Sequence, residues 1–207
     1  MHYEILDDER RALLPKFAAF RNRFYLAGGT GLALQIGHRD SIDFDFFSEK
    51  SFDTAKLFSE SERIFSGRRL TKTQDEKDTL TFLIDDAVSV SFLGFPYPLV
   101  EPLIATEYCN LAYIIDIGCM KLSAITSRSA MKDYVDLYFI LKSVLLAKLL
   151  AAAREKFPIL DRNLILKSLV YFDDIAPEQI RFVSKHETSL DEIKKFLQQT
   201  VRDELRA

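Results

Sequence analysis

The sequence has no tryptophan, two cysteines and three histidines among its 207 residues. Without Trp, the bulk of a core falls to Leu and to the 17 Phe residues. Cys109 and Cys119 form no CxxC pair, which leaves a dithiol redox centre or a cysteine-rich zinc site without support. Both read as buried free thiols. An apolar run of the ~20 residues that a membrane span needs is also missing. The most apolar stretch, Val144–Ala153, is shorter and carries Lys148. The opening residues, MHYEILDDERRALL, hold no signal-peptide core. The expectation is a cytoplasmic protein with no membrane partner. Positive charge is in short supply too, with a net charge of −3. That argues against a protein that coats polyanions, although a local basic patch can still meet RNA.

What is present reads as two halves. Asp7–Arg23 has Leu13, Leu14, Phe17 and Phe20 at helical spacing, with Pro15 as a kink or a late start. Phe24–Ala27 reads as a strand, Gly28–Gly31 as a turn, and Leu32–Ile36 as a short helix capped by Gly37. In Ile42–Phe47 the period is two: Ile42, Phe44 and Phe46 share one face, and Asp43, Asp45 and Phe47 the other. Asp53 is placed to cap a helix running to about Phe65. Leu80–Ile84 and Val88–Leu93 read as a hairpin turning at Asp85-Asp86, and Pro96 and Pro98 interrupt regular structure after it. Helices are expected over 117–127, 131–151, 161–172 and 189–205, with Pro158 and Pro177 in the breaks. The fold class is therefore α+β: a small mixed-sheet domain over 1–115, then a helical C-terminal domain over 116–207.

The chemistry concentrates in LAGGTG and HRDSIDFDFF. A glycine-rich turn between strand and helix lets backbone N–H groups approach a phosphate, and the helix N-terminus adds positive potential. Gly28, Gly29 and Thr30 are the candidate phosphate-binding residues, Thr30 offering a hydroxyl as well. Asp43 and Asp45, two apart on a strand, would project together and repel unless a cation lies between them. Mg²⁺ suits one or two carboxylates completed by substrate phosphates. Arg39, between turn and strand, is placed to contact an NTP phosphate. His38 reads as structural, bonding the backbone of the Asp43 strand, with general-base work as the alternative. Arg63, Arg68, Arg69 and Lys72 form a basic cluster that could hold an RNA backbone. Leu137, Ile140 and Leu141 read as a core stripe.

Gly29-Thr30, twelve residues and then Asp43-Phe44-Asp45 resembles the signature of the DNA polymerase β-type nucleotidyltransferase superfamily. Within it, LAGGTGLALQIGHRDSIDFDFF resembles the AbiEii-type toxins of type IV toxin–antitoxin systems. Met120–Ala124, Lys132–Tyr138 and Leu169–Asp174 extend the resemblance over nearly the whole chain. It implies an Mg²⁺-dependent transferase with an NTP substrate, an RNA acceptor such as a tRNA 3′ end, and a cognate antitoxin. It also implies site roles: Gly29 and Thr30 in the phosphate turn, Asp43 and Asp45 on the metal, Lys121 as the family lysine. Asp136 matches the later acidic position, with Asp133 three residues away as its competitor. The pattern departs at Val88-Ser89-Val90-Ser91-Phe92, where the superfamily often carries a third carboxylate. Three readings follow: one metal suffices, Asp136 supplies the missing charge from the helix, or the chain is a non-catalytic nucleotide-binding module. Transfer to a small molecule or a protein hydroxyl is a further alternative.

Overall fold

The computed structural model describes residues 1–176 and 178–206; Pro177, expected in a helix break, lies outside them. Helix α1 spans Asp8–Phe17, with the Asp7 side chain accepting from the Arg10 N–H at its start. Strand β1 (Tyr25–Leu26) leads into α2 (Gly28–Ile36), and β2 (Phe44–Ser48) into α3 (Thr54–Ile64). Three strands follow, β3 (Leu70–Glu76), β4 (Thr79–Ile84) and β5 (Val88–Gly94), then two short ones, β6 (Ile104–Ala105) and β7 (Asn110–Leu111). The rest is helical: α4 (Ile114–Ile125), α5 (Met131–Leu141), α6 (Leu146–Lys156), α7 (Arg162–Val170) and α8 (Leu190–Arg206).

The strands form one mixed sheet in the order β3-β4-β5-β2-β1-β7-β6. β2 runs parallel to β5 and β1 parallel to β7; the other neighbours are antiparallel. One sheet face is apolar at every second residue: Phe44 and Phe46, Phe82 and Ile84, Val90 and Phe92. It packs on α1 and α3 through Phe rings, with Phe17 4.7 Å from Phe44 and Phe20 4.9 Å from Phe92. The absent Trp is thus replaced by interlocked Phe. A second core lies among α4–α8 and includes Tyr25, Ala27 and Leu32. Helix α2 serves both cores, Leu32 in one and Ala33 and Leu34 in the other. The catalytic-looking half and the helical half are therefore joined through its packing.

Several expectations shift. Helix α2 begins at Gly28, so the glycines form its first turn instead of preceding it. Gly37 ends it in the left-handed region, φ 63°. Ile42 is 56% exposed and lies before β2, so it does not share the buried face of Phe44 and Phe46. The expected 131–151 helix is two helices. A turn after Leu141 folds α6 back, and Ile140 and Leu149 then both meet Gly118 of α4. A straight helix could bury only one of them there. Strand β3 carries no apolar alternation because its side chains stay largely in solvent. The Asp85-Asp86 turn is as read, with φ of 50° and 57° at the two residues.

Candidate active site

The second face of β2 and β5 presents Asp45 and Phe47 beside Ser89, Ser91 and Leu93. It opens into a cleft of about 950 Å³, closed on the other sides by the start of α2, by α4 and by residues 178–181. Gly28, Gly29, Arg39, Asp43, Asp45 and Lys121 all line it. Thr30 and Asp136 lie behind the wall, each at most 1% exposed.

The glycines are required by close approach. Gly28 has φ 61°, and a Cβ on it would meet Asp45 Oδ2 at 2.9 Å. A Cβ on Gly29 would meet Arg39 Nη2 at 2.6 Å. The first turn of an α-helix leaves its N–H groups without intrahelical acceptors. Here those donors, the Asp45 carboxylate and the Arg39 guanidinium converge at one corner of the cleft. Thr30 differs from the expectation. Its hydroxyl bonds Ser41 Oγ (2.8 Å) and the Asp43 carbonyl, turned into the protein. It fixes the loop that carries Asp43 and has no reach to a phosphate.

Asp43 precedes β2, Asp45 lies on it, and both face the cleft. Burial raises the Asp45 carboxyl above its ordinary range, and the neighbouring Asp43 charge raises it further. The Ser91 hydroxyl, directly opposite Asp45 in the sheet register, offsets part of this. A desolvated carboxylate beside a second one is what a divalent cation would relieve. Among the described residues, no three His, Cys, Asp or Glu converge to hold a metal. Asp43 and Asp45 offer two carboxylates, a donor set compatible with an ion such as Mg²⁺, whose other positions go to water and phosphate.

Beneath the cleft lies a buried charge network. Asp136 is completely buried and accepts from His38 Nε2 (2.8 Å) and from Arg39 Nε (2.7 Å) and Nη2 (2.9 Å). Lys121 Nζ lies 2.6 Å from Asp136 Oδ2 and 2.6 Å from Asp133 Oδ1. Asp133 also accepts from Arg128 Nε at 2.7 Å. Although burial opposes ionisation, Lys121 and Arg39 hold the Asp136 carboxyl well below its usual value. The two acids, three apart on α5, bracket the lysine between them. Asp136 has both oxygens engaged and does not face the cleft, so it cannot stand in for the absent third carboxylate. His38 is structural, but its partner is Asp136 and not the Asp43 strand. Burial depresses its pKa, and its ring packs 5.0 Å from Phe139.

Three cations to which the sequence assigns no role line the rim: Arg128, Lys132 and Arg181. Two of them sit in irregular segments that carry no periodic signal. The basic cluster is a different matter. Arg68 pairs with Glu9 and Asp85, Arg69 with Asp86, and Lys72 with Asp75. These residues belong to the β3 edge and none lines the cleft. The expected RNA-holding cluster, which also includes Arg63 on α3, lies apart from the cleft, and three of its four cations are paired with neighbouring acids.

The mixed sheet with helices on it is the fold of a nucleotidyltransferase, and the family comparison agrees. A family model for the nucleotidyl transferase AbiEii toxin of type IV toxin–antitoxin systems matches residues 11–207. The chain belongs to the AbiEii nucleotidyltransferase toxin family. An uncharacterised Aquifex aeolicus protein is 37% identical over 210 residues, covering 97% of this chain and 98% of that one. The fold is shared with the nucleotidyltransferase toxin MenT4 of Mycobacterium tuberculosis, at TM-score 0.64 and 16% identity over 94% of this chain and 81% of that one. JHP933 of Helicobacter pylori is also similar, at TM-score 0.58 and 16% identity over 98% and 92%. Among the described residues, no helix is long and apolar enough to cross a membrane.

Proposed function

We propose that this nucleotidyltransferase moves a nucleoside monophosphate from an NTP to the end of an RNA such as tRNA, with Mg²⁺, as the toxin of a toxin–antitoxin pair in the cytoplasm. The observation that carries the reading is the convergence of the Gly28-Gly29 turn, Arg39, Asp43 and Asp45 on one cleft. In this reading Asp43 and Asp45 hold the metal. When bound, the ion neutralises the triphosphate and favours ionisation of an acceptor hydroxyl. The N–H groups of the α2 first turn bind phosphate oxygens, as helix N-termini do. Arg39 and Lys121 place two fixed cations at the wall. The acceptor oxygen forms a bond to the α-phosphorus, the bridge to the β-phosphorus breaks with its electron pair, and pyrophosphate departs. The hydroxyl proton is released to solvent.

Asp136 acts as a positioning residue in this scheme: it holds Arg39 and Lys121 without touching substrate. Asp133 does the same for Lys121 and Arg128. Arg128 is held by Asp133 and Lys132 lies 3.9 Å from Glu178, but both side chains stay open to the cleft. With Arg181 they favour an acceptor that carries phosphates, which supports RNA over a cationic small molecule. The test is growth of cells expressing the chain, with and without a co-expressed antitoxin from the adjoining reading frame. Arrest by the wild type, relief by the antitoxin and no arrest by Asp45→Asn is the expected pattern. Equal arrest by the variant at equal protein level would refute the catalytic role.

A further inference from the structure

The cleft has a second character that phosphate chemistry leaves unexplained. Along β2, the residue that follows Asp45 on the same face is Phe47, and across the register on β5 the residue after Ser91 is Leu93. Both line the cleft, and both are partly exposed. Phe95 extends this row, tied to β2 by its N–H donating to the Ser48 carbonyl at 2.7 Å. Met120 of α4 also lines the cleft. The Phe47 ring is held from behind by Tyr25, stacked at 6.1 Å with a 25° interplanar angle, and from the side by Phe95 at 5.6 Å. The floor is thus carboxylate and hydroxyl at one end, and a braced apolar platform at the other.

The direction of that change matters. β1 is antiparallel to β2, with Tyr25 opposite Phe47, so Phe47 lies on the side of Asp45 away from the Gly28-Gly29 turn. Two residues of strand advance about 6.6 Å. That is comparable to the reach from an α-phosphate across a ribose to its base. A triphosphate with its β and γ ends at the glycine turn and its α-phosphate at the aspartates would project its nucleoside toward Phe47, Leu93, Phe95 and Met120. Partly exposed rings in a polar cleft are the surface on which a base stacks, and stacking is tolerant of base identity.

Resting on the proposed reading of the cleft, we infer that Phe47, Phe95, Leu93 and Met120 form the subsite for the nucleobase of the donor NTP. The platform supplies affinity for any base.

The test compares NTP with inorganic tripolyphosphate, both with Mg²⁺, by calorimetry on the full chain. Wild type should bind both, the NTP more tightly. Phe47→Ala and Phe95→Ala should each weaken NTP binding on the order of ten-fold and leave tripolyphosphate unchanged. Phe47→Tyr should restore the NTP advantage and guards against misfolding as the cause. Equal binding of both ligands by wild type and variants would overturn the subsite and spare the phosphate site. An unchanged NTP affinity with a raised KM for the RNA acceptor would also overturn it, assigning the platform to the acceptor. Failure of wild type to bind either ligand would instead refute the proposed reading of the cleft.

Discussion

Asp136 is buried beneath the cleft and, in the proposed scheme, serves transfer without meeting substrate. Its carboxylate compensates Arg39, Lys121 and the His38 donor in a space closed to water. Removing one partner of a buried ion pair costs about 3–5 kcal/mol, because the other charge is left without compensation. Asp136→Asn should therefore lower stability by that order in urea titration and also abolish transfer. Asp43→Asn should abolish transfer with stability unchanged, since Asp43 faces the cleft. His38 adds a pH dependence. Its folded pKa is depressed by burial, while its unfolded value is about 6.5. The folded state thus binds fewer protons, and the stability linked to His38 is complete above about pH 6.5 and is lost as pH falls through the depressed value. Urea midpoints should drop from pH 7 to pH 5, and His38→Gln should flatten that slope. A parallel slope in the variant would contradict the assignment. None of this was legible in the sequence beyond the resemblance: the spacing of Asp133 and Asp136 fits a solvated helix face equally well. The 97-residue separation of Arg39 and Asp136 hides their contact.

At the scale of elements, the site rests on the junction of β1, α2 and β2. The glycine turn, the acid pair and the period-two strand could all be read from residues 24–47, because short-range geometry governs them. The helix start could not. Gly28 and Gly29 read as loop residues by propensity, and their place in the first turn of α2 follows from the close approach of Asp45 and Arg39. Gly29→Ala should leave far-ultraviolet circular dichroism unchanged yet weaken NTP binding at least ten-fold, an outcome on the order of 1.4 kcal/mol. Undiminished binding would detach the turn from phosphate recognition. The division of the expected 131–151 helix was likewise hidden. Its apolar residues suit one buried helix or two, and the choice depends on the packing of Ile140 and Leu149 over Gly118. Strand β3 was illegible for the opposite reason, having no buried face to leave a pattern.

For the whole molecule, the two cores share α2, and the cleft lies where they meet. Sheet residues supply the acids, and the helical half supplies Lys121 and the Asp133–Asp136 pair that holds it. The negative overall charge is compatible with this, since Arg39, Lys121, Arg128, Lys132 and Arg181 line the cleft beside Asp40, Asp43, Asp45 and Glu178. The surface cluster around Arg68 and Arg69 is spent on Asp85, Asp86 and Glu9. Substituting Arg69 should therefore leave activity on RNA unchanged, whereas Arg128→Ala should raise the KM for the acceptor. The central claim is that Asp43 and Asp45 serve nucleotidyl transfer to RNA. It is tested most directly by incubating the purified chain with Mg²⁺, each α-labelled NTP in turn and total tRNA, beside the Asp43→Asn/Asp45→Asn double variant. The account predicts label on RNA with at least one NTP, dependence on the metal, and no label with the double variant. Label transferred equally by the double variant, or none on RNA from a wild type that binds both NTP and tRNA, would contradict it.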